Sequence, residues 1–204
     1  MALRPAIAYF PPRGNRRVSN PALEPVTADS FRAYVKADAG TVSDEEALLY
    51  ISQAREFIEE LSGIAMIQQV WLLTLDRWPG YVEQWWDGVR EMATTELESG
   101  TPRVLGFPRY PLISVSSVKV YDEESVETTV NLAQTFDVDT DSRPGRFALK
   151  RGRVWPTATR SVNAIMIEYI AGFGADATAV PAGLSIGANV TCGRRIKNQG
   201  RRLW

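Results

Sequence analysis

Apolar side chains recur at steps of three and four between residues 43 and 62: Leu48, Ile51, Ala54, Ile58 and Leu61. That spacing lines one face of an α-helix. Ser43 and Glu46 form a capping box, in which hydroxyl and carboxylate each satisfy a backbone N–H at the helix start. Asp44, Glu45 and Glu46 suit the positive end of the helix dipole, and Gly63 can adopt the left-handed conformation that ends a helix. The pattern predicts a helix over 43–62, with each large buried side chain contributing about 1.5–3 kcal/mol. A shorter helix is predicted just upstream, with Thr27 as N-cap, Ser30 three residues on, and Phe31, Tyr34 and Val35 at helical spacing.

From Met66 to Trp78 the period changes to two. Trp71, Leu73 and Leu75 fall on one face, and Val70, Leu72 and Thr74 on the other. Both faces are largely apolar, which predicts a strand covered on both sides and ended by Pro79-Gly80. Helical spacing returns over 81–98, where Val82, Trp85, Trp86, Val89, Met92 and Ala93 form an aromatic-heavy stripe. Such a stripe reads as core packing, with a partner-binding helix as the sharper alternative because Trp is enriched at interface hot spots.

Residues 103–170 read as short antiparallel strands around Val115–Val120, Phe136–Asp139, Phe147–Leu149 and Ala164–Ile170. Turns fall at Asp122-Glu123-Glu124 and Ser142-Arg143-Pro144-Gly145, and Trp155-Pro156 interrupts the sheet. Residues 1–24, rich in Pro and Arg, read as an extended arm with little core of its own. After Pro181, which suits a first helical turn, the chain is rich in Gly and polar residues and reads as a weak helix running into a basic tail.

The 204 residues fit one domain of ordinary size, or one core with a sizeable insertion. A hydrophobic share of 45% with 23% charged residues is the balance of a globular chain. No apolar run reaches the roughly 18 residues of a membrane span. The N-terminus has no apolar core followed by a small-residue cleavage site, so synthesis in the cytoplasm and no membrane partner are expected. Histidine is absent and Cys192 is the sole cysteine, which disfavours imidazole-dependent nucleophilic catalysis, most zinc sites and any internal disulfide. Cys192 itself, although flanked by arginines, reads as incidental.

The net charge is −1, against a wholly nucleic-acid-binding surface, but charge is unevenly distributed. Cations gather at Arg13, Arg16 and Arg17 and again at Arg194, Arg195, Lys197, Arg201 and Arg202. Acids crowd residues 38–60 and 122–141. That polarity suits an assembly whose faces meet complementary partners, against the plainer reading of two solvated basic tails.

Asp137, Asp139, Asp141 and Gly145 invite a calcium-loop reading. The glycine falls too late and no glutamate follows at the twelfth position, so a strand end and a Pro-Gly turn account for them. The pairs Glu59-Glu60 and Glu123-Glu124 read as solvated charge rather than acid/base catalysts. Ala171-Gly172-Phe173-Gly174 lacks the Lys-Ser/Thr of a phosphate loop. No catalytic, cofactor or metal residue is proposed. The basic C-terminal stretch, ending in the apolar Trp204, reads as an interaction tail.

Several stretches in order resemble the head–tail connector (adaptor) proteins of long-tailed phages and gene-transfer particles. They are Glu24-Pro25-Val26-Thr27, Asp44-Glu45-Glu46-Ala47-Leu48-Leu49, Ala54-Arg55-Glu56-Phe57-Ile58 and Gln68 through Pro79. Later come Phe107 through Val118, Val138-Asp139-Thr140 and Tyr169-Ile170-Ala171-Gly172-Phe173-Gly174, followed by Pro181. Together they span most of residues 24–184. Residues 81–102 are longer and more helical than the loop expected there, and the final helix is richer in Gly than the family's amphipathic one.

The resemblance implies an α+β fold: a small helical bundle (residues 25–66 and 181–204) carrying an inserted antiparallel β domain (67–180, with the extra helix near 81–98), preceded by the arm 1–24. It implies a structural virion protein at the neck, not an enzyme, that forms a homo-oligomeric ring, typically a dodecamer. The ring docks on the portal protein on one side and meets the next connector, stopper or tail protein on the other. DNA passes through its channel without being read by sequence. The segment from Ala182 to Trp204 is the expected portal-facing part, with Arg194, Arg195, Lys197, Arg201, Arg202 and Trp204 as candidate contacts. The competing readings are a tail-completion or head-decoration protein that forms no ring, and a cell-wall hydrolase working through paired carboxylates, for which the sequence offers no convincing pair.

Overall fold

The computed structural model describes residues 13–37, 40–78 and 104–187. In chain order the elements are β1 (Arg13–Arg17), α1 (Ala28–Val35), α2 (Asp44–Ser62), β2 (Gln69–Leu75), β3 (Val104–Gly106), β4 (Leu112–Tyr121), β5 (Glu127–Thr129), α3 (Leu132–Thr135), β6 (Phe136–Asp139), β7 (Arg146–Leu149) and β8 (Ile165–Ala171). A 3-10 turn at Ala177–Ala179 and a helical segment over 182–187, here α4, follow. The fold is α+β, as expected.

Five strands form one antiparallel sheet in the order β1-β2-β8-β4-β5, and three form a second in the order β3-β7-β6. The register sets Leu73 beside Ile167, which is flanked on its other side by Val118, and Leu75 beside Ile165, which is flanked by Val120. Since side chains alternate between faces, these residues share one face with Trp71 and Tyr169. That face packs on the smaller sheet's Phe107, Phe136 and Phe147. Phe136 and Phe147 stand 4.1 Å apart between ring centres, and Phe107 lies 4.6 Å from Tyr169. Trp78 stacks on Trp155 at 4.5 Å and donates from Nε1 to the Pro156 carbonyl at 2.8 Å.

The helices build a separate, smaller core from Val26, Phe31, Val42, Ala47, Ile51 and Ala54. A third cluster of Met66, Ile67 and Val180, with Ile58 and Leu184 against it, joins α2 and α4 to the chain around the sheet. Caps form as predicted. The Thr27 hydroxyl accepts from the Ser30 N–H, the Ser43 and Glu46 capping box closes, and Gly63 takes a left-handed φ of 72°. Gly172 is required: at φ 140°, a Cβ would lie 2.6 Å from backbone atoms of Ile67 and Gln68.

Three expectations change. Leu48 and Leu61 do not share the buried face of α2. Both are exposed, Leu61 by 73%, and Ala47 takes the inward position, because the helix turns its narrow Ala47–Ile51–Ala54 strip to α1. Strand β2 is fully buried on one face only. Val70, Leu72 and Thr74, on the other face, are half-buried. Within the predicted arm, residues 13–17 form the edge strand of the large sheet, pairing Arg13 with Leu75 through Arg17 with Trp71. The predicted helix at 81–98 lies outside the described residues.

Candidate functional site: the helix–sheet junction and the groove beside it

The acidic residues Glu56, Glu59 and Glu60 near the end of α2 anchor the helical part to the sheet. Glu59 reads from the sequence as solvated charge, but in the fold its side chain is only 4% exposed. The cause is local. One turn earlier on the same face stands the buried Arg55, whose Nη1 donates to Glu59 Oε2 at 3.0 Å. The chain then turns at Gly63 and brings the Met66 N–H and Gln69 Nε2 to Glu59 Oε1, at 2.8 and 2.7 Å. Both carboxylate oxygens are therefore engaged.

Arg55 extends the network the other way, with Nε and Nη2 on the two oxygens of Glu24 at 2.9 and 3.3 Å. Burial disfavours the Arg55 charge, but its hydrogen bonds to Glu24 and the attraction of Glu24 and Glu59 outweigh it, so its pKa is raised. Arg17 of β1 reaches the same cluster, 2.7 Å from Glu56 and 3.8 Å from Glu59. Its hydrogen bond holds the Glu56 carboxyl below the ordinary value. On the far side, Arg109 donates to the Glu59 carbonyl and, at 2.9 Å, to Glu60, while its guanidinium lies 4.7 Å from the Trp71 ring centre. The Tyr110 hydroxyl donates to the Ser62 carbonyl at 2.8 Å.

This junction binds segments 17–24, 55–60, 66–69 and 109–110 into one unit. Its chemistry is positional, fixing the angle at which α2 leaves the sheet, since a buried charge must keep its partners.

Beside the junction lies a groove of about 630 Å³ between segment 21–24 and the first turns of α2. Leu23, Leu48 and Leu49 supply its apolar lining, and Glu24, Glu45 and Ser52 its polar one. A second concavity, of about 320 Å³ beside Glu123 and Arg160, is smaller.

The sequence-predicted sites divide. Asp139 of the considered calcium loop is engaged by protein groups. Its carboxylate accepts from the Ser142 hydroxyl at 2.7 Å, from Arg146 at 2.6 and 2.9 Å, and from the Asp141 and Ser142 N–H groups. These bonds, Ser142 first, hold its pKa far below the carboxylate range. Among the described residues, no three His, Cys, Asp or Glu side chains form a metal-competent group, and no helix is long and apolar enough to cross a membrane. Arg194, Arg195, Lys197, Arg201, Arg202 and Trp204 lie outside the described residues, as does Cys192. Sequence reasoning missed the Glu24–Arg55–Glu59 network. The signal available was Arg55 and Glu59 at i and i+4, one helical turn apart, next to the apolar strip.

No family model and no curated protein matches the chain. Solved structures do resemble it in fold. A chain in the neck of an empty gene transfer agent particle, computed with C6 symmetry, superposes with a TM-score of 0.70 at 20% identity, over 90% of this chain and 84% of that one. A chain of the native gene transfer agent virion gives 0.67 at 19%, over 90% and 84%. A chain in the native neck, computed with C12 symmetry, gives 0.66 at 20%, over 90% and 83%. Across nearly its whole length, this chain has the fold of chains found in gene transfer agent particles.

Proposed function

We propose that the protein is a structural neck subunit of a tailed, phage-like particle: a head–tail connector (adaptor) that assembles into a ring, docks on the portal and leaves a channel for DNA. One observation carries this reading. The fold agrees with chains of gene transfer agent necks over 90% of this chain and more than four-fifths of theirs. The motifs quoted above point the same way from sequence alone.

In this reading the helical part (25–66 and 181–204) and the β-rich part (67–180) belong to one connector subunit. The C-terminal stretch with Arg194, Arg195, Lys197, Arg201, Arg202 and Trp204 meets the portal, and the other side of the ring meets the next connector, stopper or tail protein. The C6 and C12 symmetries of the neck structures support a cyclic assembly, and twelve copies is the number we propose. The role is mechanical rather than catalytic. The Glu59 carboxylate, hydrogen-bonded on both oxygens by other parts of the chain, fits that role.

Light scattering on the purified protein, alone and mixed with its portal, tests the proposal. A ring mass in either sample is expected, and deleting residues 194–204 is expected to abolish portal docking. A monomer in both samples overturns the reading in favour of a tail-completion or head-decoration protein.

A further inference from the structure

Charge is segregated within the β-rich part. Residues 122–141 hold seven acids and no cation, and residues 142–167 hold six cations and no acid. The fold cancels part of this. Arg146 pairs with Asp139 at 2.6 Å and Lys150 with Asp137 at 3.7 Å. Arg143 lies over the Phe173 ring, and Arg160 lies over the Tyr121 ring and lines a concavity with the acid Glu123. Arg151 and Arg153 stand together, both exposed, on either side of Gly152.

These two arginines open the connection from β7 to β8, residues 150–164, which contains no helix or strand. A connection of that length without regular structure is uncommon in a compact domain and usually serves contact with a partner. This one is firmly mounted. The Lys150 N–H donates to the Thr135 carbonyl at 3.0 Å and the Arg153 N–H to the Lys150 carbonyl at 3.1 Å, with Gly152 at a φ of 78° between them. Just beyond, Trp155 stacks on Trp78. Between these anchors the chain displays Arg151, Arg153 and Val154, and the exposed Thr157 follows.

The chemistry of this surface selects its partner. Guanidinium, hydroxyl and backbone N–H groups are the donors that hold phosphodiester oxygens. A protein partner would call for an apolar centre to the contact, and between residues 150 and 157 Val154 alone is a large exposed apolar side chain.

We infer that the Arg151–Gly152–Arg153 turn contacts the phosphate backbone of duplex DNA, without regard to base sequence. The inference rests on the ring reading above and names residues of the ring that meet the DNA. Each copy presents the pair once, so contacts that are weak singly add along one duplex.

The test follows binding of the full chain to a fluorescein-labelled duplex by anisotropy, between about 50 and 200 mM salt. Each phosphate contact contributes about 0.9 to the slope of log affinity against log salt. The Arg151→Ala/Arg153→Ala variant is expected to lower that slope by about 1.8 for each copy in contact, and to bind at least tenfold more weakly at about 50 mM salt. The same loss is expected on a duplex of unrelated sequence. Arg151→Lys/Arg153→Lys, which keeps the charge, is expected to bind nearly as the parent does. An unchanged slope and affinity in the alanine variant overturns the inference, as does a parent that ignores DNA at the lowest salt. An alanine variant that binds DNA normally but no longer binds the portal also overturns it, and makes the turn a protein contact. Light scattering on the same samples separates the two readings. A ring that meets any of these overturning results loses the DNA contact alone, whereas a monomer with and without portal overturns the ring. Unchanged thermal unfolding of each variant verifies that the substitutions leave the fold intact.

Discussion

Arg55 and Glu59 stand one turn apart on α2, both almost wholly buried and 3.0 Å from each other. Each reaches a different part of the chain: Arg55 the carboxylate of Glu24, and Glu59 the Met66 N–H and the Gln69 amide. The pair thereby joins the segment after β1 to the start of β2 through a single helix.

Glu59→Ala removes the acceptor for three donors and leaves the buried Arg55 with Glu24 as its close partner. Breaking a buried pair from one side costs about 3–5 kcal/mol. Urea unfolding followed by circular dichroism is expected to show a loss of that order, with a smaller loss for Glu59→Gln, which keeps the shape and one acceptor. A loss under about 1 kcal/mol for the alanine variant would mean that water replaces the carboxylate, and the junction would not be the anchor described here.

Acid should loosen the fold through identifiable carboxylates. Glu56 is held below its ordinary pKa by Arg17, Glu127 by Lys119 and Tyr121, and Asp139 by Ser142 and Arg146. A carboxyl depressed in the folded state contributes stability above its unfolded pKa of about 4. That contribution is lost as pH falls through the folded value. The urea midpoint is expected to hold between pH 7 and 5 and to decline below about pH 4. Glu56→Gln and Asp139→Asn should each flatten the decline, and an unchanged slope in both would contradict the assignment.

Gly172→Ala places a methyl group 2.6 Å from the backbone of Ile67 and Gln68, at a φ that side chains rarely adopt. Backbone strain alone costs about 1–3 kcal/mol, and the overlap adds to it. Thermal melting should fall clearly for this variant and little for Gly183→Ala, where a Cβ meets nothing within 4 Å. Equal behaviour of the two variants would count against the close approach of the β8 exit to the β2 entry.

Trp78→Ala removes a buried indole stacked on Trp155 and bonded to the Pro156 carbonyl. Loss of a large aromatic from a core costs about 3–5 kcal/mol. The expected result is a lower unfolding midpoint. A midpoint within experimental error of the parent would show that the Trp78–Trp155 stack does not support the sheets.

Much of the local structure was legible because its causes lie within a few residues. The capping box of Ser43 and Glu46, the Thr27 cap and the Gly63 terminus each follow from side chains three or four positions apart. The alternation of Trp71, Leu73 and Leu75 marked the buried face of β2. The paired state of residues 13–17 was not legible, because an edge strand of Arg, Gly and Asn carries no apolar alternation and owes its form to the neighbour it bonds. Glu59 misled for a related reason: an acid beside another acid near a helix end resembles solvated charge until the fold brings Gln69 and Met66 to it.

By itself, then, the sequence determined helices α1 and α2, the core strands, and their caps and turns, since these depend on periodicity and short-range chemistry, while the α+β class was implied by the resemblance to connector proteins. Only the tertiary structure decided which side of α2 is buried, that Leu48 and Leu61 face outward on opposed sides, and that a buried ion network joins helix to sheet. Those outcomes depend on contacts between residues dozens of positions apart, and no local pattern encodes which partner arrives.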